Sequence, residues 1–258
     1  MKSIPLSFGG AYRAIADTNA AILYNPAGLG YFEPRISLAG DYSRIGLTDS
    51  NVFSISAIDA ATLPGVPLAV EYVNDRPTIG TAEVSLQQLA VSSGVKLGEI
   101  MSVGATVKGF LTTTNSPLVD GPDGVDVDIG FLVKPIPLVS LAVTTQNIFL
   151  GQELQEFPFT VGVGAALNLD PHVRLAIDLT RDFQTASVNK VNSFFGGELR
   201  VAEGIFIRSG FGLDKVRQNN FYSVGFGLDG PKVKLQFVFS QRLNPTTSTM
   251  GGGIEFYL

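Results

Sequence analysis

From Glu33 onward, apolar residues alternate with small or polar ones at every second position, the spacing of a strand with two unlike faces. In HVRLAIDLTRD, Val173, Leu175, Ile177 and Leu179 share one face, and Arg174, Ala176, Asp178, Thr180 and Asp182 share the other. KVKLQFVFSQ repeats the pattern, with Val233, Leu235, Phe237 and Phe239 set against Lys232, Lys234, Gln236 and Ser240. About fourteen such segments run from the neighbourhood of Leu38 to that of Ile254, most of about 9–12 residues, the length a tilted strand needs to cross a bilayer. Tight connections (LGE, KPIP, LDPH, AEG, DGP) alternate with longer ones (VNDRPTIGTAE, TNSPLVDGPDG, FLGQELQEF, FQTASVNKVN, RLNPTTST). That alternation predicts an all-β fold: a single transmembrane antiparallel up-and-down β-barrel of about fourteen strands, its short turns in the periplasm and its longer loops outside. An even strand number puts both termini in the periplasm, and the outer loops are expected to hold about twelve residues or fewer.

Composition sharpens this. Hydrophobic residues make up 45% of the 258 positions and charged ones only 16%, against about 25% on average, and mean hydropathy is +0.26. Yet no run reaches the roughly 18 apolar residues of a spanning helix. The most apolar stretch, 131–143, is broken by Lys134, Pro135 and Pro137. A closed barrel is the other structure that satisfies its backbone in lipid. A bacterial outer membrane is therefore the expected location and membrane lipid the expected surroundings. MKSIPLSFGG lacks an apolar core for export, so a signal peptide is taken to have been removed. A net charge of −5 disfavours nucleic acid as a partner. With no cysteine, disulfides and thiolate metal sites are excluded.

Many of the 29 glycines fall on the inward face, among them Gly104, Gly130, Gly162, Gly164, Gly196 and Gly210. Glycine within a strand marks close approach or bending, so the lumen needs a filler. Residues 8–32, FGGAYRAIADTNAAILYNPAGLGYF, do not alternate. Gly9-Gly10 predicts a turn. Asp17 or Thr18 is placed to cap a short helix through Leu23, which Pro26 stops. Residues 1–32 are thus expected to form a hatch in the lumen, and 33–258 the barrel.

Gly9-Gly10-Ala11, Ala16-Asp17 and, above all, Asn25-Pro26-Ala27-Gly28-Leu29 resemble the FadL-like superfamily. That superfamily includes the long-chain fatty-acid transporter and the PorV/PorQ proteins of type IX secretion. The resemblance implies a luminal hatch ahead of a fourteen-stranded barrel. It also implies passive transport of small hydrophobic or amphipathic, fatty-acid-like molecules, with Asn25, Pro26 and Ala27 carried over as hatch residues; Gly9, Gly10, Asp17 and Gly28 are further hatch or gating candidates. In the implied mechanism a gap in the wall releases the ligand sideways. LPGVPL and RPTIG, flanking the third strand, are candidates to interrupt pairing there. The alternative from the same resemblance is a non-transporting, plugged barrel that docks a secretion or surface complex. An open porin is a third reading. This chain is much shorter than the fatty-acid transporters, which puts a ligand-collecting outer domain in doubt.

Catalysis and cofactors find no support. His172 is the single histidine and falls in the LDPH turn, with no serine or carboxylate placed for a triad. Asp120, Asp123, Asp126 and Asp128 lack the glycine and ligand spacing of a calcium loop. The chain is expected to be no enzyme, to bind no metal and to carry no cofactor. What remains is the lumen, with Phe8, Arg13, Phe110, Arg174, Arg200, Phe206, Arg208 and Phe221 as candidate ligand or lining residues. Arg174, Arg200, Arg208, Lys232 and Lys234 form a basic subset that could attract an anionic head group. Charges such as these are too costly to face lipid and are expected to pair across the wall and with Arg13 and Asp17.

Overall fold

The computed structural model describes residues 2–79, 82–116, 123–149, 158–169, 172–183, 191–215 and 219–258. Two short helices, α1 (Ser3–Ser7) and α2 (Ala21–Tyr24), and a 3-10 turn (Pro26–Tyr31) come first. The strands follow: β1 (Ile36–Ile45), β2 (Ser50–Asp59), β3 (Leu68–Arg76), the two-residue β4 (Thr78–Ile79), β5 (Ala82–Leu97), β6 (Met101–Thr114), β7 (Gly124–Ile136) and β8 (Val139–Gln146). They continue as β9 (Thr160–Leu169), β10 (Val173–Asp182), β11 (Val191–Ala202), β12 (Ile205–Leu213), β13 (Phe221–Asp229), β14 (Val233–Leu243) and β15 (Thr246–Tyr257).

Each long strand pairs antiparallel with its neighbours in sequence, β3 pairs with β5, and β1 pairs with β15. The result is a closed 14-strand antiparallel barrel, with β4 a small ribbon on β5. Closure removes every exposed sheet edge and gives each ladder hydrogen bond a partner without water. In β13, Phe221, Ser223, Gly225 and Gly227 face in, while Tyr222, Val224, Phe226 and Leu228 face out. The outer face is largely apolar, with Phe53, Ile55, Val107, Phe237 and Met250 all exposed, and outward polar residues such as Arg44 and Asn51 stand near the far end. No helix is long and apolar enough to cross a membrane.

β1 begins and β15 ends at one end of the barrel, called here the near end, whereas Lys2 is buried inside the lumen against Glu71; the turns 46–49 and 244–245 and the strand ends Arg76, Thr114, Gln146, Asp182 and Leu213 lie at the opposite, far end. Three connections break the expected alternation of lengths. The near-end connection 60–67 is long, the far-end connection 46–49 is short, and at the far end Leu243 is followed by only Asn244 and Pro245 before β15. The RLNPTTST stretch is therefore mostly strand, because β14 and β15 keep pairing as far as Leu243 and Thr246.

The expected break beside the third strand is absent. β3 pairs without interruption with β2 from Leu68 to Arg76, and with β5 from Leu68 to Asp75. Pro67 and Pro77 fall just outside the strand at its two ends, where a missing N–H removes no ladder bond.

Candidate functional site: the N-terminal segment and two luminal cavities

The N-terminal segment sits inside the wall and is almost wholly buried. Its core is apolar. Ile4, Phe8, Ala11, Tyr12, Ala14 and Ile15 pack together against Leu132, Ala142, Ala166 and Ala176 of the wall. Ala21, Ile22 and Leu29 pack on Ile58, Ala69 and Ala90. The inward glycines let it come this close. A Cβ on Gly104 would run into the backbone of Pro26, one on Gly130 into the Asn25 amide, and one on Gly210 into the backbone at Phe8 and Gly9. Gly9 and Gly10 themselves take positive φ, 62° and 91°, where an L side chain is strained.

Polar groups fix the segment's register on the wall. Asn25, fully buried, donates from Nδ2 to the Arg13 carbonyl at 2.9 Å and accepts at Oδ1 from the Ala27 N–H at 3.1 Å. It is thus the N-cap of the 3-10 turn, with Pro26 at the first position, where its missing N–H costs nothing. Pro26 therefore starts a turn as well as stopping α2. Ala20, rather than Asp17 or Thr18, is the N-cap of α2, and Thr18 Oγ1 accepts from the Ala20 N–H at 3.3 Å. From the wall, Ser102 Oγ donates to the Ala27 carbonyl at 2.6 Å and Thr106 Oγ1 to the Ile22 carbonyl at 2.7 Å. A Cβ on Gly28 would overlap the Ala16 carbonyl.

Four wall carboxylates anchor the segment. Asp178 accepts from the Tyr12 and Arg13 N–H groups, each at 3.0 Å, and pairs with Arg13 Nη1 at 3.2 Å. Glu71 pairs with Lys2 Nζ at 2.8 Å, and Asp41 accepts from the Ser3 N–H at 3.0 Å. Arg174 joins Asp17 to Glu198, the second bond at 2.7 Å, and Arg208 Nε reaches Glu198 at 2.6 Å. Burial alone would raise the Asp17 pKa. The charges of Arg174 and Lys234, with hydrogen bonds from Arg174 and Tyr12, outweigh it and hold the carboxyl below its usual range. Burial pushes the Tyr24 phenol up to about 12, against the Arg13 charge.

Two separate cavities remain. The far-end cavity, of about 330 Å³, is lined in part by Leu6, Gly10, Arg13, Tyr24, Phe194 and Phe221, with Gln146 and Asn219 among its polar groups. The near-end cavity, of about 710 Å³, is lined by Asp17, Leu138, His172, Val173, Arg174, Arg200, Phe206 and Lys234 among others. The candidate lining residues thus divide: Arg13 and Phe221 with one cavity, and Arg174, Arg200 and Phe206 with the other. Phe8 is buried beneath the guanidinium groups of Arg174 and Arg208, at 6.0 and 5.8 Å from its ring centre. Phe110 faces inward, with Lys108 Nζ 5.8 Å from its ring centre, and lines neither cavity. Lys232 is exposed in the turn before β14 and so leaves the basic subset.

Asp126 and Asp128 face inward: Asp128 pairs with Lys108 at 2.7 Å, and Asp126 accepts from the Phe149 N–H at 3.0 Å. Asp120 lies outside the described residues. Leu6, Tyr24 and Phe194 were not singled out from the sequence. Leu6 belongs to a helix of five residues, too short for a period to show.

No protein-family model matches this sequence, nor does any curated protein. Solved structures do match. The CymD monoaromatic hydrocarbon channel superposes with a TM-score of 0.73 at 11% identity, covering 99% of this chain and 96% of that one. The toluene transporter TbuX of Ralstonia pickettii gives 0.70 at 13% identity, and a FadL homologue of Pseudomonas aeruginosa 0.70 at 12%; each match covers 100% of this chain and 97% of the other. The chain is thus similar from end to end to barrels of the FadL-like fold, and that fold is the one it adopts.

Proposed function

We propose that this barrel sits in a bacterial outer membrane, near end in the periplasm, and passes small hydrophobic or amphipathic molecules inward. The observation that carries this reading is the lumen itself. A single segment, 2–32, divides it into two cavities, and the far-end one is partly walled by Leu6, Tyr24, Phe194 and Phe221. Its volume of about 330 Å³ lies at the lower edge of the range for small-molecule pockets, about 300–1,000 Å³. The similar CymD and TbuX barrels are a monoaromatic hydrocarbon channel and a toluene transporter, which supports the same class of molecule. The segment acts as the hatch. Its turns at Gly9-Gly10 and Asn25-Pro26-Ala27-Gly28 hold it on the wall, and a shift of the stretch between them joins the cavities. With β3 paired on both sides, cargo moves down the lumen rather than out through that strand.

The test is uptake of labelled toluene and of a labelled fatty acid by cells whose own hydrophobic channels are deleted, with and without this barrel. Accumulation well above the empty-vector strain is expected; equal rates overturn the proposal. A second reading is favoured by the closeness of the segment to Gly104, Gly130 and Gly210: a permanently plugged barrel that docks a protein complex. Co-purification of a stoichiometric partner, together with uptake no better than background, would establish it.

A further inference from the structure

We infer that the near-end cavity is a binding site for an oxyanion group, a carboxylate or phosphate, gripped by Arg200. The charges around this cavity are unequal in their partners. Asp17 and Glu198 are both taken by Arg174, Glu198 again by Arg208, and Asp229 by Lys234 at 3.3 Å. Among the described residues no carboxylate pairs with Arg200, and Glu203, three positions on, is exposed in the turn. The Arg200 Nε is buried with no hydrogen-bond partner, and the Phe206 ring stands 4.9 Å from the guanidinium carbon. A buried guanidinium N–H is costly to leave without an acceptor, and the planar fork of arginine matches a carboxylate or phosphate through two parallel bonds.

Its placement is built rather than incidental. The Arg200 N–H donates to the His172 carbonyl at 2.7 Å, which sets Arg200 beside His172 at the mouth of the cavity. Arg200 is the register partner of Phe206, itself buried, so ring and guanidinium stack within one ladder. Elsewhere on the near-end part of the wall, Lys96 and Lys134 stand over the Tyr31 ring at 4.8 and 4.1 Å, again with no carboxylate partner among the described residues. Leu138, Val173 and Phe206 offer apolar surface beside the charge, so an anion with a short apolar body suits the cavity best.

This site does not depend on transport, and the experiment separates the two. Binding of hexanoate, hexanol and inorganic phosphate is measured by calorimetry on the whole barrel in nanodiscs of zwitterionic lipid. Hexanoate is expected to bind and hexanol to bind far more weakly. Arg200→Gln should weaken hexanoate binding by about ten- to a hundred-fold, the loss of a charge-assisted pair, while leaving hexanol unchanged. Arg200→Lys, which keeps the charge, should lie between and covers the case in which the glutamine variant fails to fold. Phosphate that displaces hexanoate identifies a site for free oxyanions; hexanoate binding that phosphate does not disturb identifies a head group with its tail. Either outcome supports the site. Hexanoate bound no better than hexanol, or equally well by the wild type and both variants, overturns it. A barrel that binds hexanoate yet imports no labelled cargo would leave the site standing and remove transport.

Discussion

Single residues decide whether the N-terminal segment can lie where it does. Asp178 is the clearest case, since it serves two backbone N–H groups and a guanidinium at once. Asp178→Ala strands the Arg13 charge in the lumen and is expected to cost about 3–5 kcal/mol, read as a lowered midpoint of heat-induced gel-shift unfolding. Gly130→Ala puts a methyl group against the Asn25 amide and should cost about 1–3 kcal/mol by overpacking, checked by the same midpoint; an unchanged midpoint would mean the segment moves aside freely. Asp17 makes a pH prediction. Its carboxyl is held below the ordinary 3.8, so the Asp17–Arg174 link is complete above that value and fades only as pH falls through the lower folded one. The side chain is 43% exposed, so solvent screens part of the effect. Asp17 should therefore add nothing to any change in protease protection of residues 2–32 between pH 7 and about 5, so that wild type and Asp17→Asn change in parallel across that window. At this scale the sequence was readable in one sense and closed in another. That Asp126, Asp178 and Glu198 face inward followed from their alternation with apolar neighbours. That Asp178 meets Arg13, and Asp17 meets Arg174, did not follow, because those meetings depend on how the whole ring closes.

Elements were legible where a period had room to repeat. β10 and β14 follow their alternating runs, and both ends of most strands are set by turn residues such as Gly98 and Gly204, each at positive φ. The short pieces were not. α1 has five residues and α2 four, less than two turns each, so tertiary contact with the wall rather than local pattern fixes them. The supposed break at the third strand was misjudged for a related reason: proline speaks only for its own N–H, and Pro67 and Pro77 stand where the ladder has already ended. This bears on the route. Val70 and Val91 are register partners across β3 and β5 in a chain without cysteine. Cysteines at both positions, once cross-linked, should leave uptake unchanged if cargo moves down the lumen. A loss of more than half the rate on oxidation, recovered on reduction, would instead require the wall to part there.

The whole molecule is a barrel whose lumen is divided by its own N-terminal segment, and two predictions belong to that scale. In a planar bilayer it should show no steady conductance, because segment 2–32 separates the two cavities; an open-channel current would make it a porin. Tethering the segment should stop transport. Ser223 Oγ donates to the Ser7 carbonyl at 3.4 Å, which sets the two residues side by side, so Ser7→Cys with Ser223→Cys is the pair to cross-link. Uptake by the oxidised form should fall to background and return on reduction, whereas a permanently seated plug would make no distinction between the two forms.

The segment's anchors also say something about time. Tyr12 is held by a residue 166 positions further along the chain, and Ser7 is met by one 216 positions away. α1 lies against β12, β13, β14 and β15, so the earliest part of this chain has its companions among the latest. Contacts of such separation are slow to form, since the loop entropy comes due before any reward. Threading the segment afterwards into a ring whose inner glycines it touches would be obstructed. A sheet that curls round it while still open, and joins β1 to β15 afterwards, avoids that obstruction. The filler is then a former on which the wall is shaped, and the moment of closure is the moment at which its buried charges first find all their partners.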